Sequence, residues 1–127
     1  EIVKRALSIL KFLGIEHLRD EQAMNLSGGQ LRLLEIGRTL MGRSKLIIMD
    51  EPIAGVAPVL AHAILKKIRE IAGRGVSFLI VEHRLDIVMD YVDRVYVMAG
   101  GRVIAEGIGR EILERPEVVE GYLGAQI

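Results

Sequence analysis

Leu46-Ile47-Ile48-Met49-Asp50-Glu51-Pro52 is an unbroken apolar run that ends on two acids and a proline. Four apolar residues without polar alternation predict a short strand covered on both faces, the habit of strands in parallel sheets. Pro52, Gly55 and Pro58 then predict a loop, with Pro58 suited to the first turn of a helix. That helix carries Leu60, Ile64, Leu65, Ile68 and Ile71 at helical spacing and ends near Gly73 to Gly75. Val76 to Val81 reads as a second buried strand, followed by a helix over about Arg84 to Tyr91 and a strand over Arg94 to Met98. Strand, helix, strand, helix, strand predicts an α/β fold, a mostly parallel sheet flanked by helices. Gly100-Gly101, between that strand and Arg102 to Ala105, is a hairpin signal. Two short helical stretches close the chain, Ile108 to Glu114 and Pro116 to Leu123.

Upstream, Leu26-Ser27-Gly28-Gly29-Gln30 opens into a helix from about Gly29 to Met41. Ser27 is a good N-cap, and glycines without Cβ let a ligand approach the backbone. The amides and positive dipole end of such a helix suit a phosphate. Before it, Ile2, Ala6, Ile9, Leu10 and Leu13 predict a helix stopped by Gly14, and Glu16 to Asn25 reads as a connection.

Ligands of parallel sheets gather at the carboxyl ends of the strands, where Asp50-Glu51 and Glu82-His83 both fall. An acid such as Asp50, at the mouth of a dry core, calls for a cation, and Mg²⁺ with its waters is the usual answer near phosphates. Glu51 is placed to orient and partly deprotonate an attacking water, and His83 to reach a terminal phosphate or hold that water. Taken singly, each has a plainer reading: a Ser-Gly-Gly turn, two acids starting a loop, a histidine capping a helix. Together on one rim they form a constellation.

The 127 residues suit one domain, and half of them are hydrophobic, which excludes a disordered chain. Zero formal net charge argues against a nucleic-acid partner, and the absence of cysteine excludes disulfides and thiolate chemistry. No apolar run approaches the ~20 residues of a membrane helix. The chain starts without Met, inside a helical pattern, and reads as a piece of something longer.

The two strings together resemble the ABC ATPase family, whose signature reads LSGGQ and whose Walker B motif is four apolar residues followed by Asp-Glu. The resemblance covers essentially the whole chain and implies the C-terminal part of an ABC-type P-loop ATPase domain, ending in a hairpin and C-terminal helices. Residues 1–27 would close the helical signature subdomain, and 28–127 would form the C-terminal part of the ATPase core. By resemblance the signature falls on Ser27, Gly28, Gly29 and Gln30, the Walker B aspartate and Mg²⁺ ligand on Asp50, the catalytic glutamate on Glu51 and the switch histidine on His83. The resemblance also implies ATP and Mg²⁺, a head-to-tail dimer with a second ATPase subunit, transmembrane permease partners, and a peripheral place on the cytoplasmic face of the membrane.

The D-loop, usually Ser-Ala-Leu-Asp, falls on Ile53 to Pro58, where Ala54-Gly55-Val56-Ala57-Pro58 holds no aspartate. It looks like the Ala-Gly-Leu-Asn-Pro form of the branched-chain amino acid importers. The tail resembles theirs too, in Gly101 to Gly107 and in Pro116 to Gly124 with Tyr122-Leu123-Gly124. No G-x-x-x-x-G-K-[ST] string occurs, and the family's adenine-stacking aromatic and Q-loop glutamine are absent as well. With half of each site present, the chain alone is expected to be inactive. Two rival readings stand beside the importer: the C-terminal lobe of a chromosome-maintenance or DNA-repair ATPase head, entered by a long coiled coil, and a non-catalytic dimerising fragment.

Overall fold

A computed structural model describes residues 1–122 and 124. Two compact units divide the chain, Glu1–Arg84 and Leu85 onward. In the first unit α1 (Ile2–Phe12), α2 (Gly28–Met41), β1 (Leu46–Asp50), α3 (Pro58–Ala72) and β2 (Ser77–Val81) follow one another, with 3₁₀ turns at Glu16–Leu18 and Ala23–Asn25.

Gly14 ends α1 as its position predicts. Its φ is 74°, its N–H donates to Lys11 O at 3.0 Å, and the Ile15 N–H reaches back to Leu10 O at 2.9 Å. These are the paired bonds of a Schellman stop. Within the described residues α1 spans Ile2–Phe12, and no long heptad helix runs through residues 1–25. α1 meets α2 where Gly37 lacks a Cβ; one built there would press on Leu13 Cδ1 at 3.0 Å. The Arg5 guanidinium caps the end of α2 by donating to Leu40 O at 2.8 Å.

α3 buries Ile64, Leu65, Ile68 and Ile71 of the expected stripe together with Ala61, while Leu60 is half-buried, and Pro58 stands in its first turn. It is the crossover between two parallel strands paired from Leu46↔Ser77 to Asp50↔Val81, and it packs on β2. Only one face of this pair is covered. Ile47 is buried and Met49, Phe78 and Ile80 are half-buried, whereas Leu46, Ile48, Leu79 and Val81 are 51 to 67% exposed. The expectation of strands buried on both faces is thus corrected for this chain. A βαβ crossover lays its helix on one side of the sheet, and no other described element roofs the opposite side.

In the second unit, α4 (Leu85–Val88) is a single turn rather than a helix from Arg84 to Tyr91. Asp90 and Tyr91 close it with tighter bonds to Ile87 O and Val88 O. β3 (Val95–Ala99) and β4 (Arg102–Gly107) form an antiparallel hairpin, as the glycine pair predicts. Gly100 and Gly101 both have positive φ, 54° and 75°, the backbone of a tight type I′ connection. β3 pairs with β4 and, among the described residues, does not extend the parallel pair, which corrects the third strand of the βαβ rhythm. A 3₁₀ turn (Arg110–Glu114) and α5 (Pro116–Gly121) cover the hairpin through buried Ile112 and Val118. Leu123, in the expected closing helix and tail motif, lies outside the described residues. No described helix is long and apolar enough to cross a membrane.

Candidate functional site

At the start of α2, Ser27 forms a complete capping box. Its Oγ accepts the Gln30 N–H at 3.2 Å, and Gln30 Oε1 accepts the Ser27 N–H at 2.9 Å. Two orphan donors of the helix end are satisfied reciprocally, which fixes the turn without help from distant residues. The two glycines differ. A Cβ on Gly28 would meet nothing within 4 Å, so that backbone is open to an incoming group, whereas a Cβ on buried Gly29 would collide with the Leu60 side chain on α3. The expectation that both glycines keep the backbone clear for a ligand is refined: Gly29 lets α2 and α3 approach.

The carboxyl ends of β1 and β2 bring Glu51 and His83 together. His83 Nδ1 lies 3.2 Å from Glu51 Oε1, with both side chains about half exposed (55 and 50%). The Glu51 N–H continues the ladder to Val81 O at 2.8 Å, and its φ of 50° then turns the chain out of the strand. A left-handed backbone at a non-glycine residue costs about 1 kcal/mol or more and persists only where neighbours hold it. Here Pro52 and Ile53, both buried, anchor the chain immediately after the turn.

Asp50 occupies the last position of β1, on the uncovered face beside Val81, and it is exposed. The expectation of a carboxylate at the mouth of a dry core is therefore corrected in this chain. Among the described residues no three His, Cys, Asp or Glu side chains gather as a metal cage. A single carboxylate with open space around it is a donor set that fits Mg²⁺, which keeps waters and phosphate oxygens in its shell. Ser27 to Gln30 stand at the head of α2.

Two residues with structural work at this rim carried no assigned role in the sequence. Glu82 Oε1 accepts the Ile53 N–H at 3.1 Å, while Oε2 accepts the N–H groups of His83 and Arg84 at 3.1 and 3.4 Å. Arg84 Nη1 donates to Ile53 O at 3.2 Å and to Val56 O at 2.8 Å. The only available signal was their adjacency to His83, because which backbone groups they meet depends on a loop about 30 residues away.

A model of the ABC transporter family matches residues 1–54. Over 99% of its length the chain is 62% identical to an Archaeoglobus fulgidus protein named a probable branched-chain amino acid transport ATP-binding protein, LivG. A Methanocaldococcus jannaschii protein of the same name is 55% identical over 98% of the chain. The chain spans about half of these relatives, 49 and 50% of their lengths. A crystal structure of the ADP conformation of an ATP-binding cassette from an ABC transporter superimposes with a TM-score of 0.90. It is 55% identical and covers 98% of this chain and 50% of its own.

Proposed function

The chain belongs to the ABC transporter family, and from that premise we propose that it is the C-terminal part of an importer's ATP-hydrolysing subunit. The cargo class is branched-chain amino acids, by the names of its close relatives. The observation that supports hydrolysis most directly is the 3.2 Å approach of His83 Nδ1 to Glu51 Oε1, side by side at the strand ends. Residues 1–27 belong to the helical signature subdomain and 28–127 to the ATPase core in this reading.

In this mechanism Glu51 accepts a proton from water as the water oxygen bonds to the terminal phosphorus and the bond to the departing ADP oxygen breaks, and His83 stands beside the glutamate at the rim, its Nδ1 3.2 Å away. Phosphoryl transfer depends chiefly on positioning and charge stabilisation, so a fixed acceptor beside the water is the main protein contribution. Ser27, Gly28, Gly29 and Gln30 form a rigid cap whose open face at Gly28 suits a nucleotide held by a second ATPase subunit. Asp50 would hold Mg²⁺, which would supply charge neutralisation to the phosphates. The subunit works at the cytoplasmic membrane face beneath permease partners.

Phosphate release from Mg-ATP tests the reading. A full-length subunit carrying this chain is expected to hydrolyse, and the 127-residue chain alone is not. Turnover by the chain alone would overturn the division of the site. In membranes with its permease, leucine, isoleucine or valine and their binding protein should raise turnover; stimulation only by unrelated solutes would overturn the cargo.

A further inference from the structure

The Glu51–His83 contact joins two exposed side chains, and exposed ion pairs hold geometry poorly by themselves. Something else must fix the two loops that present them. The first runs from Glu51 through Ile53 to Val56, and the second is Glu82-His83-Arg84. We propose that Glu82 and Arg84 are positioning residues that lash the first loop to the second and so set the approach of Glu51 to His83. The proposal rests on the reading of Glu51 as the base.

The bonds converge on one residue. Ile53 is held at its N–H by Glu82 Oε1 and at its C=O by Arg84 Nη1, so the residues flanking His83 grip both polar groups of a fully buried residue. Glu82 spends its second oxygen on the His83 and Arg84 N–H groups, which fixes the backbone that carries the imidazole. Arg84 adds Val56 O at 2.8 Å, pinning the far side of the loop across Gly55, whose φ is 70°. Bonds with one ionised partner are roughly twice as strong as neutral ones, and here each charge works against backbone dipoles that neighbouring mutations cannot remove. Glu51 lies two positions before the gripped residue, in a left-handed backbone that relaxes if its surroundings loosen.

A clamp of this kind acts on turnover through the base, which separates it from a merely structural role. In the full-length subunit, Glu82→Ala and Arg84→Ala are expected to lower kcat by roughly tenfold to a hundredfold, with KM for Mg-ATP within about twofold. Glu82→Gln, which keeps the size and one acceptor oxygen, should recover part of the loss. In a Glu51→Gln background, Glu82→Ala should cause no further fall in the residual single-turnover rate, because residues that act as a unit are non-additive. The same fold-loss in that background would overturn the proposal, since Glu82 would then act independently of Glu51. Wild-type kcat in Glu82→Ala and Arg84→Ala, beside an inactive Glu51→Gln, would overturn it while leaving the proposed function intact. Full turnover in Glu51→Gln would instead sink the function and the clamp together. If Glu82→Ala does not fold, Glu82→Gln decides on the same criteria.

Discussion

Gly29 lies against Leu60 so closely that any side chain at that position would have to displace the Leu60 side chain from its present place. Gly28, its neighbour, borders open space. Gly29→Ala should therefore destabilise the folded subunit by about 1–3 kcal/mol, the range for overpacking a filled site. Gly28→Ala should unfold close to wild type yet weaken nucleotide-driven dimerisation. Urea unfolding of both variants, with dimerisation followed by size exclusion in Mg-ATP, checks the pair. Equal stability losses would show that the two glycines share one role.

Glu51→Gln in the full-length subunit should bind Mg-ATP and dimerise but lose about 10²–10⁴-fold in hydrolysis. The amide keeps the shape and one oxygen beside His83 Nδ1 while removing the basic carboxylate. Steady-state phosphate release gives the answer, and unchanged turnover would take Glu51 out of the mechanism.

His83→Ala should cut hydrolysis severely while the thermal midpoint moves little, because the imidazole side chain is 55% exposed. Loss of folding with normal activity in the folded fraction would make His83 a structural residue instead.

As an isolated chain, these 127 residues should self-associate. Leu46, Ile48, Leu79 and Val81 form an uncovered apolar face, and the outer edges of the β1–β2 pair carry no strand among the described residues. Both features template pairing with another chain. Ile48→Lys with Leu79→Lys should raise the concentration at which light scattering grows. Mg-ATP should bind the isolated chain with at best roughly millimolar affinity, about 4 kcal/mol, by calorimetric titration. A monodisperse monomer with micromolar affinity would contradict both statements.

Much of this was legible in the residues. Gly14, Pro58, Gly73 and the Gly100-Gly101 pair each marked the end or turn they make, because backbone constraints act locally. The Ser27–Gln30 box could be read for the same reason, since its donors and acceptors lie three residues apart. The bare sheet face could not. A wholly apolar run such as Leu46 to Met49 reports what covers a strand in the finished assembly, whichever chain segment supplies the cover. The third strand misled because a βαβ rhythm and a hairpin begin alike, and the turn after β3 decided between them. Glu82 and Arg84 escaped notice because their partners are backbone groups, which no residue type reveals.

The left-handed backbone at Glu51 has a consequence for how this position tolerates replacement. The carboxylate is aimed by the main chain, so stability and turnover at residue 51 answer to different properties of the incoming residue. Glycine and asparagine accept that conformation readily and should fold well while being chemically silent. Valine, isoleucine and threonine resist it and should fold worse, whatever their polarity. Aspartate keeps the charge on a shorter arm and tolerates the turn, so it alone would test reach apart from basicity. A saturation series at this site would thus scatter across two uncorrelated axes, one set by the Ramachandran map and one by acid–base chemistry.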